Sequence, residues 1–182
     1  EKWNGALDAL FIRIPVSVGY DFEVESIALV SEREQRLGAE LVSDGSFERG
    51  TSDFRTVGCV AEITHNEFNR GAAALALSDG GTMVINVPGI AANTKYRIEC
   101  SAKLPYSAVG SAALSAYISY SADGGTKTSN VITLEQFNNR AFARLSGEVE
   151  IGQAEAVTDA RLCIEGSRGY VLDDVSVRAV PE

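Results

Sequence analysis

From Leu41 to the C-terminus, apolar and polar residues alternate with a two-residue period, and turn residues interrupt the alternation about every eight to twelve positions. That pattern restricts the chain to extended elements buried on one face. In AALSAYISYS (112–121), Leu114, Ala116, Ile118 and Tyr120 fall on one side and Ser115, Tyr117 and Ser119 on the other. The same alternation marks strands at 54–64, 72–78, 82–87, 94–104, 112–121, 130–134, 141–151, 160–165 and 170–180. Gly80-Gly81 and Gly124-Gly125 suit tight hairpins, since glycine takes positive φ at little cost. Helical spacing is almost absent, and LEQFNN (134–139) has the best claim to a short helix. The expectation is an all-β antiparallel sandwich.

A second pattern concerns organisation. Gly19-Tyr20 followed by DFEVESIALV returns as Gly169-Tyr170 followed by VLDDVSVRAV, an ungapped echo at an offset of 169 − 19 = 150. A fixed-period echo marks repeated structural units. Residues 1–30 therefore read as a strand pair resembling the tail of a preceding module. Residues 31–40 (SEREQRLGAE) read as a charged linker, and 41–182 as one complete module. A lone strand pair is marginal in water, so residues 1–30 need a partner: the rest of their own module, the next module or a neighbouring subunit.

Composition excludes several classes. No apolar run is long enough to span a bilayer as a helix. Net charge is −9 and the arginines are scattered singly (Arg13, Arg55, Arg97, Arg161), so no basic stripe exists to neutralise a nucleic-acid backbone. The chain begins at Glu1 without the pattern of a signal peptide, so any targeting segment lies outside it or was removed. Cys59, Cys100 and Cys163 are an odd set, compatible either with free buried thiols or with one bridge such as Cys100 to Cys163. No CxxC spacing points to zinc.

Signs of catalysis are lacking. His65, the only histidine, sits in THNEFNR between strands, and no serine or cysteine motif accompanies it. Glu148 and Glu150 share one face of a strand, the arrangement of a solvated surface. The Asp79-Gly80-Gly81 turn lacks the lysine and helix start of a phosphate loop. The reading is of a protein that is not an enzyme.

Four stretches in order, LVSDGSFERG, NRGAAALAL, GGTMVINVPGIAANTKYRIECSAKL and GYVLDDVSVRAV, together resemble the jelly-roll carbohydrate-binding modules appended to secreted glycanases, over about residues 41–180. The resemblance implies a galactose-binding-like jelly-roll antiparallel β-sandwich, here with an extra N-terminal strand pair. It also implies a structural calcium ion where the first and last strands meet. That ion would be held by Glu48 and one or both of Asp173 and Asp174, with Asp44 a weaker ligand and carbonyls from the Gly71 region. Such modules stack sugars on aromatic rings. The available rings are Tyr117, Tyr120 and Tyr106, with Asn130, Gln136, Asn138 and Asn139 as polar partners. The chain departs from the family in its aromatics: its single tryptophan is Trp3, and Phe54 stands where relatives often place one. The implied function is a non-catalytic module that attaches a larger secreted or surface assembly to a polysaccharide or cell-surface glycan, without membrane insertion. The alternative is a structural module of a virion, tail, fibre or surface layer that contacts protein subunits of a larger assembly. Either places the chain outside the cell, on its surface or in a virion.

Overall fold

The computed structural model describes residues 37–50 and 54–181, apart from the side chains of 134–136. The strand pair read in residues 1–30, and Trp3 with it, lie outside the described residues. Two antiparallel sheets face each other. One sheet runs β1 (Phe54–Val57), β4 (Gly81–Asn86), β10 (Thr158–Gly166), β6 (Ala112–Ala122) and β7 (Gly125–Thr128), with β8 (Ile132–Phe137) also paired to β6. The other runs β2 (Ala61–Thr64), β3 (Ala74–Leu77), β11 (Tyr170–Ala179), β5 (Thr94–Lys103) and β9 (Ala143–Ile151).

Between the sheets lies one apolar cluster. Met83 and Ile85 of β4, Leu114, Ala116 and Ile118 of β6, and Leu162 and Ile164 of β10 meet Ile98 and Cys100 of β5, Leu145 and Val149 of β9, and Leu172 and Val177 of β11. Each set occupies alternate positions of its strand, as a pleated strand with one buried face requires, save in β11, where the register shifts between Leu172 and Val177. The sandwich read from the alternation is the architecture observed.

Four details differ from expectation. The stretch 54–64 forms two strands rather than one. Gly58, at φ +78, breaks it and sends β1 and β2 to different sheets. LEQFNN is no helix, because β8 continues through Phe137. Residues 125–128, beyond the Gly124-Gly125 turn, form the short edge strand β7. The opening motif LVSDGSFERG, which the resemblance implies is the first strand, makes turns over residues 43–46 and 48–49. All three cysteines are free. Cys100 belongs to the core, whereas Cys163 points away from it on the opposite sheet, so no bridge joins them. Burial pushes the Cys100 thiol up to about 12, with the Glu99 charge adding to the rise.

The described end of the segment 31–40 runs along the last strand. Gly38 N–H donates to the Ala179 carbonyl (2.8 Å), and Leu41 N–H to that of Val177 (3.0 Å). The Glu40 carboxylate accepts from Val42 N–H (2.9 Å), Val177 N–H (2.9 Å), Arg178 Nε (3.0 Å) and the Ser176 hydroxyl. Burial works to raise its pKa, but these donors outweigh burial and hold the carboxyl below the usual carboxylate range. The folded state thus binds fewer protons here than the unfolded chain. Its contribution is complete above the ordinary glutamate range and is lost as pH falls through the depressed value. A Glu40→Gln variant should melt a few degrees below the parent at pH 7, with the gap closing below about pH 4. Melting curves from pH 3 to pH 7 test this, and a gap independent of pH would refute the assignment.

Candidate functional site

On the six-stranded sheet, the face turned away from the core is assembled by register into three rows. Thr82 of β4, Glu165 of β10, Ser115 of β6 and Thr133 of β8 form the first. Arg55 of β1, Val84 of β4, Cys163 of β10 and Tyr117 of β6 form the second. Asn86, Arg161, Ser119 and Thr128 form the third. Directly opposed residues of antiparallel strands project to the same side, so these twelve share one surface. Tyr117 is half-buried within it.

Tyr117 stands directly opposite Cys163 on the neighbouring strand. Burial raises the pKa of Tyr117, and the neighbouring Cys163 and Glu165 raise it further. Burial also lifts the thiol of Cys163, while Tyr117, Arg55 and Arg161 pull it back. Both guanidinium groups therefore lie close enough to Cys163 for their charge to be felt there. The surface presents one ring framed by hydroxyl, amide, guanidinium and carboxylate groups. Such a face can stack a flat apolar patch and hydrogen-bond a ring of hydroxyls around it.

A second constellation joins the chain ends. β11 carries a bulge between Asp173 and Ser176, where Asp173 pairs with Ser101 and Ser176 with Glu99. Before the bulge Tyr170 and Leu172 face the core; after it Val175 and Val177 do. The extra residue shifts the alternation by one and re-aims the two aspartates, with Asp174 at φ +52. Asp173 is 0% exposed. Its Oδ2 accepts the N–H groups of Asn69 (2.8 Å) and Arg70 (3.1 Å), and its Oδ1 that of Asp174 (2.7 Å). Asp174 Oδ2 accepts from Asn69 Nδ2 (2.6 Å) and the Ser101 hydroxyl (3.4 Å). From the opening turn, Glu48 Oε1 accepts the N–H groups of Ala72 (2.7 Å) and Ala73 (2.9 Å).

Glu48, Asp173 and Asp174 are thus brought to one loop, residues 65–73, between β2 and β3. The Asp44 carboxylate takes the Arg49 N–H (3.2 Å) within its own turn. The Gly71 region, expected to turn carbonyls toward the acids, presents the Ala72 and Ala73 N–H groups to Glu48 instead. The donor chemistry nonetheless suits a hard cation, since every side chain offers oxygen. Burial lifts the Asp173 carboxyl above its usual range, the N–H groups of Arg70 and Asn69 oppose that, and the like charge of Asp174 adds to it. A positive ion would relieve exactly this pairing of buried and neighbouring carboxylates. Among the described residues no group of three or more His, Cys, Asp or Glu could hold a metal ion. A cation here would rest on two of these carboxylates and on backbone carbonyls.

The three tyrosines are not brought together. Tyr120 is a core residue, 4% exposed, because its position in the alternation faces the opposite sheet. It offers no open ring, although it borders a hollow of about 600 Å³ with Lys95, Thr128 and Asn130. Tyr106 is 80% exposed on the loop after β5, off the rows of the sheet. Its N–H donates to Glu67 (3.1 Å), and its carbonyl accepts from Asn139 Nδ2 (2.9 Å). The amides serve the backbone: Asn130 clips the edge of β9 through the Glu148 carbonyl (3.1 Å) and the Glu150 N–H (2.9 Å), and Asn138 accepts the Arg140 N–H (2.9 Å). Gln136 has its side chain outside the described residues. His65 donates from Nδ1 to the Ala72 carbonyl (2.7 Å) and helps brace the same loop. Arg55, Arg161 and Glu165 were missed as members of a face. Alternation in ARLCIE puts Arg161 and Glu165 beside Cys163, but only strand order shows that Tyr117 lies next to them.

No protein-family model matches the chain, and the search of curated proteins gives no match. Solved structures do. The CBM22-1 xylan-binding domain from Paenibacillus barcinonensis Xyn10C superposes with a TM-score of 0.67 at 20% identity, over 80% of this chain and 97% of that one. The CBM22-1–GH10 modules of Clostridium thermocellum xylanase Xyn10B, solved with xylohexaose, give 0.63 at 13% identity, over 78% of this chain and 28% of that one. The enzymatically active domain of tailspike protein 4 from bacteriophage CBA120 gives 0.60 at 12% identity, over 78% of this chain and 21% of that one. At the level of fold, the chain is a β-sandwich of the kind seen in jelly-roll carbohydrate-binding modules.

Proposed function

We propose that the chain is a non-catalytic glycan-binding module whose sugar lies across the outer face of the six-stranded sheet, on Tyr117. The observation that carries this reading is the register that places one half-buried ring in the middle of polar side chains from β1, β4, β10, β6, β7 and β8. Likeness to a structure named as a xylan-binding domain, and to xylanase modules solved with xylohexaose, supports it and makes xylan the first polymer to try. The non-catalytic part is supported by the engagement of the obvious groups: His65 is tied to Ala72, and Glu148 pairs with Arg97 at 3.3 Å. The module attaches a larger secreted, surface or virion assembly to polysaccharide. Calcium, when bound, sits at the loop 65–73 on oxygens of Glu48 and one of Asp173 and Asp174, with backbone carbonyls completing its shell, holding the chain ends together without touching the sugar.

Affinity electrophoresis of the full chain through gels containing xylan and other plant, bacterial and host glycans tests the proposal. Retardation by at least one polymer is expected. Tyr117→Ala should weaken it about tenfold, the scale of a lost stacking contact with its buried area, while melting within about 2 °C of the parent. Absence of retention on every polymer would sink the binding reading. It would favour the structural alternative, a subunit-contacting module of a virion, tail, fibre or surface layer, which the tailspike likeness supports.

A further inference from the structure

The cations on the two outer faces are treated differently. On the five-stranded sheet and its rim four are neutralised by ion pairs, Arg97 by Glu148 (3.3 Å), Arg144 by Glu99 (2.6 Å), Lys103 by Glu67 (2.8 Å) and Arg178 by Glu40 (3.0 Å), and a fifth, Lys95, stands directly across from Glu150. That is what a chain of net charge −9 should do, with carboxylates in excess. The guanidinium groups of Arg55 and Arg161, on the face with Tyr117, have no hydrogen-bond or ion-pair partner among the described residues. Arg161 stands directly opposite Asn86 and Ser119, and Arg55 opposite Val84, so neither is set across from a carboxylate. The single acid of the three rows, Glu165, lies opposite Thr82 and Ser115, in the row beyond Cys163 from Arg161. The ionised groups of this surface therefore sum to about +1 at neutral pH.

A neutral pyranose asks its binder for mixed donors and acceptors around hydroxyls, which the Ser, Thr, Asn and Glu groups here already supply. It offers no negative charge with which two guanidinium groups could pair. A guanidinium presents a planar fork of donors that matches a carboxylate, and such charge-assisted pairs are shorter and stronger than neutral ones. Accepting the reading of this face as a glycan site, we infer that the sugar it takes carries a carboxylate: the ligand is a uronic-acid-bearing polysaccharide, its ring on Tyr117 and its acid group between Arg55 and Arg161.

The experiment compares glucuronoxylan and polygalacturonate, each beside its carboxyl-reduced form, in affinity gels and titration calorimetry with the full chain. At least one acidic polymer should bind about tenfold tighter than its reduced form, the scale of one charge-assisted pair. The preference should shrink as salt rises from 20 to 500 mM, because partly exposed charges are screened. Arg161→Gln and Arg55→Gln, checked for unchanged melting, should each bring the acidic polymer down toward the level of its reduced form. Reduced polymers held as tightly as their acidic parents would overturn the inference and leave the glycan site standing. Retention of none of the four would also overturn it, and the wider glycan screen with Tyr117→Ala then decides the site itself.

Discussion

A Gly45→Ala chain should melt about 6–12 °C below the parent, the loss of about 3 kcal/mol that a backbone clash in a packed interior brings to a chain of this size. A Cβ on Gly45 would stand 1.9 Å from the Val175 carbonyl oxygen and 2.9 Å from its carbon. Backbone atoms cannot rotate away as a side chain can. Relief by separation is also blocked, because Val175 N–H donates to the Gly45 carbonyl at 2.9 Å and locks the two segments together. Val175 follows the bulge of β11, so the strain would reach the aspartates directly. Gly152→Ala is the control: nothing lies within 4 Å of its added Cβ, and a glycine-to-alanine change there should leave the melting temperature within about 2 °C. Equal melting of the Gly45→Ala and parent chains would mean that the opening turn does not sit on the last strand. The shared loop of Glu48 and Asp173 would fall with it.

What could be read from residue order divides along the range of the physics involved. Alternation is a local consequence of the pleat, and it identified the buried faces of β6, with Leu114, Ala116 and Ile118 inside and Tyr117 outside, from letters alone. Where a glycine or an edge changed the local rule, alternation misled. FRTVGCVAEIT keeps its apolar letters through Gly58, yet the positive φ there parts β1 from β2. GTKT carries no apolar residue, so β7 gives no signal although it pairs with β6 along its length. The bulge was present in the sequence as a slip of period, from Leu172 to Val175 rather than to Asp174, and could have been counted. The grouping of Arg55 with Tyr117 could not. It depends on β1 and β10 flanking β4 and on β10 joining β6, pairings between residues far apart in the chain that no local pattern encodes.

In sequence Tyr120 and Tyr106 read as equals of Tyr117. Yet Tyr120 shares the apolar side of its strand with Leu114, Ala116 and Ile118, so alternation alone could have marked it as a core ring, whereas nothing local separates Tyr106, on the loop after β5, from a ring on the sheet. For the acids the resemblance reached further than the residues alone: it paired the opening Glu48 with the closing aspartates, and both reach the loop 65–73. Backbone direction within that loop was beyond it. Whether a loop offers carbonyls or N–H groups depends on torsions that residue types near Gly71 leave open.

Asp173→Ala should cost on the order of 3–5 kcal/mol, the scale of breaking a buried charged group's hydrogen bonds. The carboxylate is the acceptor for three backbone N–H groups, those of Asn69, Arg70 and Asp174, and a methyl group can replace none of those bonds. Water reaches the site poorly, since Asp173 itself is 0% exposed. At about 2–4 °C per kcal/mol the melting temperature should drop by roughly 10 °C. Amide exchange should show the reason, with Asn69 and Arg70 losing protection while strands β4 and β6 keep theirs. These N–H bonds exist without a metal, so the loss should appear in chelator as well as in calcium. Calcium adds a separate increment: at a hundredfold excess over its dissociation constant it should stabilise the parent by about 2.7 kcal/mol, or roughly 5–10 °C. The Asp173→Ala chain should show little of that increment, having lost a carboxylate from the pair. A parent whose melting temperature is the same in calcium and in chelator would remove the ion from the site and leave the N–H staple to account for the buried aspartate by itself.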